Sequence, residues 1–152
     1  MMTLTSPAFV NGGEIPTKYG CRGEDLSIPL AFRNVPQGTK SLALIMEDPD
    51  APGGLFVHWV IYDMPADLGG LPEGVPPVPE LDLGIRQGVN DFGKIGYGGP
   101  CPPDRPHRYF LRLFALDIGQ PAGEAGLSRA QLLRRMEGHV LAEADLMGIY
   151  AR

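Results

Sequence analysis

Proline and glycine punctuate this chain so closely that only short elements fit between them: 16 of its 152 residues are proline and 21 are glycine. Proline fixes φ and removes a backbone donor, and glycine admits turn conformations closed to other residues. The pattern favours short strands joined by shaped loops. The apolar share is ordinary at 43%, so a normal core is expected within one domain spanning 1–152.

The stretches between these breaks read as strands. In "DLSIPLAFRN" (25–34) Leu26, Ile28, Leu30 and Phe32 alternate with Ser27, Pro29, Ala31 and Arg33, the period of a half-buried strand. Pro29 would place it near a sheet edge or a bulge. "SLALIME" (41–47) is apolar almost throughout and suits a strand covered on both faces. "FVHWVIY" (56–62) is aromatic and β-branched, and "HRYFLRLFALD" (107–117) alternates again. "LMGIYA" (146–151) reads as a short closing strand.

One helix stands out over about 128–143. Ser128 with Gln131 three places on forms a capping box, and Leu132, Leu133, Met136, Val140 and Leu141 form an apolar stripe. It would lie as a lid on the β body, with His139 favoured near its end by the macrodipole. The connection from Met64 to Lys94 carries Pro65, Pro72, Pro76, Pro77 and Pro79 and is expected to wrap the body. "NDFG" (90–93) is a turn signal.

The net charge of -5 and pI near 5.1 argue against nucleic acid as a partner, since phosphate backbones need clustered Lys and Arg. No run of 18 apolar residues suggests a membrane span. The start "MMTLTSPAFV" lacks a signal-peptide pattern, so a cytoplasmic location is expected. Cys21 and Cys101 have no zinc-ligand spacing, and in a reducing compartment they read as free thiols. They would pair only if the fold brought them together.

Two segments carry chemistry. In "DPDAPGG" (48–54) the prolines bias their preceding residues towards extended backbone. Asp48 and Asp50 would then project to one side, and Ala51–Pro52 is a candidate cis peptide. His58 and Trp59 follow, as core residues or pocket walls. In "GYGGPCPPDRPHRYF" (96–110) Gly98 and Gly99 leave backbone N–H groups open for an anion nest. Pro100 and the prolines after it stiffen a loop that feeds His107 and Tyr109 onto one face, with Arg108 on the other.

Together "DPDAPGGLFVHW" and "NDFGKIGYGGPCPPDRPHRY" resemble the phosphatidylethanolamine-binding protein family, also called Raf kinase inhibitor-like proteins, in its prokaryotic branch. The likeness runs from "SPAF" (6–9) and "GEDLSIPL" (23–30) to "GHVLAEADLMGIYAR" (138–152). It implies a mainly β fold, an antiparallel two-sheet β-sandwich with few helices, and one small pocket for phosphate-like or phosphoethanolamine-type head groups. By motif that pocket takes Asp48, Asp50, His58 and His107, with Pro52, Trp59, Gly98, Gly99, Pro100 and Tyr109 as walls or anion cradle. The link "DRP" between "CPP" and "HRY" looks short for the family and would leave the mouth open.

Carboxylates beside an anion are repulsive, by roughly 4 kcal/mol at 4 Å and an effective dielectric near 20. The expectation is that His58 and His107 become imidazolium, each held by an aspartate, so that affinity rises as pH falls. The expected role is small-ligand binding without a cofactor, with a protein partner or a second copy of the chain as further candidate partners. The alternatives are a metal-dependent hydrolase built on the Asp/His cluster, or a purely protein-facing kinase or protease inhibitor docking through the loop at 65–79.

Overall fold

The computed structural model describes residues 1–151. Arg152, which ends the family-like C-terminal stretch and the expected domain span, lies outside them.

Two antiparallel sheets form the body. The larger has the order β6-β4-β3-β7-β8: β3 is Ser41–Asp48, β4 Phe56–Pro65, β6 Arg86–Gln87, β7 His107–Leu116 and β8 Val140–Tyr150. The smaller has the order β1-β2-β5: β1 is Thr3–Thr5, β2 Leu30–Arg33 and β5 Gly70–Leu71. The helix α1 is Arg129–Met136.

The apolar run of β3 explains its central place. Leu42, Leu44 and Met46 face the core between the sheets, with Trp59, Ile61, Leu111 and Leu113 from neighbouring strands and Leu4, Ile28, Leu30 and Phe32 opposite. Ala43 and Ile45 face the other way, under α1, packing with Val60, Tyr62, Phe114, Leu132 and Met136. A strand buried on both faces cannot alternate in polarity, as the sequence indicates. Arg129 Nε donates to Glu47 Oε1 at 2.8 Å and ties the start of α1 to this sheet.

Several boundaries differ from expectation. β2 begins after Pro29 and is the middle strand of its sheet, not an edge; starting late lets it avoid the missing proline donor. The capping box at Ser128 and Gln131 is present, but α1 stops at Met136 rather than near 143. Gly138 takes φ 82°, and "VLAEADLMGIY" becomes the 11-residue strand β8. Val140 and Leu141 are therefore exposed strand residues, not part of a helical stripe. His139 sits in the intervening turn, where its Nδ1 lies 2.8 Å from Asp117 Oδ1.

The proline-rich connection does wrap the body. Buried Gln87 holds it down, with its side-chain amide donating to the carbonyls of Pro76 and Val78 at 2.8 and 2.9 Å. The same side chain accepts from Trp59 Nε1 at 2.7 Å. One amide thus satisfies three polar groups that would otherwise be buried unpaired, each of which would cost about 1–3 kcal/mol.

Cys21 and Cys101 are joined in a disulfide, their Cα atoms 5.3 Å apart and 80 positions apart in sequence. The free-thiol expectation is corrected. Spacing could not reveal the pair, because only the fold brings the turn after residues 17–19 against the loop before β7.

Candidate functional site

The site lies at one end of the larger sheet, where β3 ends and β4 and β7 begin. Antiparallel pairing brings those three termini together, so two motifs about 50 residues apart in sequence converge. The β3–β4 register shapes the result. Pairing passes from Met46–Trp59 to Glu47–Val57, which leaves His58 as the extra residue of a β-bulge. Phe56 and His58 can then turn towards Asp48 while Trp59 and Ile61 still reach the inter-sheet core. Regular alternation would send His58 and Trp59 to opposite faces.

A cavity of about 190 Å³ opens there, lined by Asp48, Ala51, Pro52, Phe56, His58, Phe92, Cys101, Pro102, Pro103, His107 and Tyr109. It is smaller than the roughly 300–1,000 Å³ of pockets for drug-sized ligands. Its walls are mostly aromatic rings and prolines, and among the described residues no lysine or arginine lines it.

Asp48 and His107 are the buried polar pair, with Asp48 Oδ2 2.7 Å from His107 Nδ1. The other carboxylate oxygen, Oδ1, accepts from the Asp50 N–H at 2.7 Å, closing a turn of the kind aspartate favours. His107 Nε2 is buried with no hydrogen-bond partner among the described residues. The nearest acid to it is exposed Asp104, whose Oδ1 is 3.8 Å away, too far for a hydrogen bond. His58 Nδ1 lies 2.6 Å from the Gly98 carbonyl. Burial lowers the His58 pKa below that of free imidazole, opposed by the Gly98 carbonyl and the Asp48 charge. Burial also raises the Tyr109 hydroxyl pKa, and the Asp48 carboxylate adds to the rise.

Five of the sequence-named residues line the cavity: Asp48, Pro52, His58, His107 and Tyr109. The other five stand outside it. Asp50 is turned away, because residues 49–54 form turns rather than an extended segment. Arg108, on the outer side of β7, grips it: Nε and Nη2 reach Asp50 Oδ2 and Oδ1 at 2.9 and 2.8 Å. The Arg108 N–H adds a third bond at 2.9 Å. These bonds hold the Asp50 carboxyl well below the usual carboxylate range. Trp59 belongs to the inter-sheet core, where it meets Gln87.

The expected nest is also corrected. The Gly98 N–H donates to the His58 carbonyl at 2.9 Å, and the Gly99 N–H to Asp25 Oδ1 at 2.9 Å. Both donors are spent within the protein. These glycines are required for space instead: a Cβ on Gly98 would collide with the Phe92 ring, and one on Gly99 with Asp25 and the Tyr19 carbonyl. The Pro100 carbonyl accepts from the Cys21 N–H at 3.0 Å. No cis peptide occurs among the described residues, so Ala51–Pro52 is trans.

Sequence reasoning missed Ala51, Phe56, Phe92, Cys101, Pro102 and Pro103. Phe92 had a readable signal in the "NDFG" turn. Asn90 Oδ1 accepts from the N–H groups of Phe92 and Lys94 at 2.9 and 3.2 Å, and its Nδ2 donates to the Gly96 carbonyl. Asp91 docks this turn on β4 through the Val57 N–H at 2.8 Å. The tip is thus fixed with the Phe92 ring packed edge-on to Phe56 and His58. Among the described residues, no group of three or more His, Cys, Asp or Glu is placed to hold a metal ion, and no helix is long and apolar enough to cross a membrane.

Comparison with known proteins agrees with this architecture. A family model described as phosphatidylethanolamine-binding protein matches residues 5–151. The chain is 51% identical to a UPF0098 protein of Methanothermobacter thermautotrophicus, covering 99% of both chains. It is 49% identical to a UPF0098 protein of Aquifex aeolicus, covering all of this chain and 90% of the relative. A crystal structure of a putative phosphatidylethanolamine-binding protein homolog from Chlamydia trachomatis superposes with a TM-score of 0.91 at 44% identity, over 99% of this chain and 97% of that one. An E. coli protein described as a new member of the mammalian PEBP family gives 0.90 at 32% identity, over 98% and 97%. With its two sheets, its cavity at the β3–β4–β7 end and these likenesses along nearly its whole length, the chain belongs to the phosphatidylethanolamine-binding protein family.

Proposed function

We propose that this protein binds a small anion, phosphate or a phosphorylated head group, in the cavity between Asp48, His58, His107 and Tyr109, and performs no chemistry on it. The observation that carries the reading is the buried, unpartnered His107 Nε2. A polar atom left so is destabilising by about 1–3 kcal/mol, and a ligand that completes its hydrogen bond recovers that penalty.

Proton placement sets the conditions. The Gly98 carbonyl and the Asp48 carboxylate are acceptors, so each histidine must carry its proton on Nδ1. Each Nε2 then donates only when its ring is imidazolium. In the neutral rings Nε2 is a lone pair and repels an oxyanion. Among the described residues no lysine or arginine is in the lining, so there these two rings supply the positive charge. Asp48 and Asp104 face His107, and Asp48 and Asp91 act on His58. Binding therefore takes up protons, and affinity rises as pH falls.

Asp48 serves as the counter-charge that keeps His107 oriented, and the Asp50–Arg108 pair keeps the second carboxylate outside. The apolar rings and prolines remove water, which strengthens the few polar contacts. Isothermal titration with inorganic phosphate, phosphoethanolamine and ethanolamine tests the reading. Binding of both phosphate-bearing ligands, but not ethanolamine alone, supports it. Binding of ethanolamine alone rejects it.

A further inference from the structure

We infer that the Cys21–Cys101 disulfide is a thiol–disulfide exchange site whose redox state sets the ligand affinity of the neighbouring cavity. The inference rests on the anion-pocket reading above. Its co-reactant is a dithiol reductant.

The placement carries the argument. Cys101 lines the cavity with Pro102 and Pro103, whereas Cys21 does not touch it. Both cysteines are exposed residues, which places the disulfide at the surface of the folded protein. The wall they anchor is otherwise lightly held. Residues 102, 103 and 106 are prolines without an N–H. The Cys101 N–H faces the Tyr109 hydroxyl; among the described residues, none of 102–106 donates a hydrogen bond, from backbone or side chain. The ties at its start are the disulfide, the Cys21 N–H to the Pro100 carbonyl at 3.0 Å, and the Gly99 N–H to Asp25. At its far end β7 begins with His107. The disulfide is thus the one covalent tie of a strap that carries three cavity-lining residues and ends on the His107 ring.

The exchange balances. A thiolate of the dithiol attacks one cysteine sulfur, the S–S bond breaks, and the other cysteine leaves as a thiolate and takes a proton. The reductant's second thiol resolves the mixed disulfide, so the reductant is oxidised to a disulfide and the protein holds two thiols. The released strap gains conformations that do not form the wall, and binding must then order it. A site that was preorganised becomes one that loses affinity to that ordering, by about tenfold.

The test uses the full chain at one fixed pH of about 6, on the acidic side of neutrality where the proposed binding is stronger. The phosphate Kd is measured for the oxidised protein, after treatment with dithiothreitol without denaturant, after reoxidation, and for Cys21→Ser, which leaves every lining residue in place. The expected result is a Kd about tenfold weaker on reduction, recovery on reoxidation, and a redox-insensitive weak Kd in Cys21→Ser. Faster hydrogen exchange at the Cys21 and Gly99 amides on reduction, with unchanged far-ultraviolet circular dichroism, separates release of the strap from unfolding. Equal Kd in both redox states, or a disulfide that dithiothreitol cannot reduce in the folded protein, overturns the inference while leaving the pocket reading intact. Absence of phosphate binding in every state overturns both.

Discussion

Asp48 Oδ2 and His107 Nδ1 are 2.7 Å apart, and both side chains are almost wholly buried. A carboxylate so placed takes the Nδ1 side of the ring and fixes which ring nitrogen is left over. On the proposed reading the pair has two jobs: Asp48 balances the charged ring of the bound state, and the contact aims Nε2 at the ligand.

Removing either member separates those jobs. His107→Ala should weaken phosphate binding by roughly ten- to hundredfold, the value of a hydrogen bond to a charged group. Asp48→Asn keeps an acceptor for Nδ1 but not the charge, so phosphate binding should appear only at lower pH. Phosphate titrations of both variants across pH check this. An unchanged pH midpoint in Asp48→Asn would remove the charge-balancing role.

Arg108 acts from outside the cavity by gripping Asp50. In Arg108→Ala the Asp50 pKa should rise back towards the ordinary carboxylate value, readable by NMR titration. Phosphate affinity should fall only about two- to fivefold, because the turn carrying Pro52 loosens while Asp48 and His107 stay in place. The depressed Asp50 pKa contributes stability that is present above the unfolded carboxylate value and lost as pH falls through the folded one. That acid-side loss should shrink in the variant.

The buried His58 also makes the unliganded protein less stable in acid. Its folded pKa lies below its unfolded value, so the unfolded chain takes up the proton first. Stability is complete above about pH 6.5 and declines as pH falls below it. Phosphate should offset that decline, because the liganded site accepts the proton. Thermal melts at pH 7 and pH 5, with and without phosphate, measure it; a phosphate effect no larger at pH 5 than at pH 7 would contradict this coupling.

The disulfide closes a loop of 80 positions. The chain-entropy estimate for such a loop is on the order of 4 kcal/mol. Cys21→Ser should then lower the melting temperature by about 10 °C. A shift under about 2 °C would mean that the unfolded chain is already constrained there.

Much of this architecture is legible in the chain. β3 could be read as doubly covered from "SLALIME", β7 from its alternation, and the start of α1 from Ser128 and Gln131, because burial and capping act locally. The convergence of Asp48, His58 and His107 was legible only through the paired motifs of the family resemblance. What stayed hidden depends on non-local geometry. The bulge at His58 is a matter of register between strands. The grip of Arg108 on Asp50 depends on a turn replacing an extended segment. The loss of the Gly98 and Gly99 donors depends on where the His58 carbonyl and Asp25 fall. The strand at Val140–Tyr150 won over a longer helix because Gly138 ends α1 and β7 offers ten residues of pairing partner.

In the proposed site two imidazoles supply the positive charge. The most direct measurement is the phosphate Kd between pH 5 and pH 8, followed through the ring signals of His58 and His107 in the same NMR titration. Affinity should strengthen steadily as pH falls, with both rings taking up protons on binding. A flat profile, or tighter binding at pH 8 than at pH 5, would contradict it.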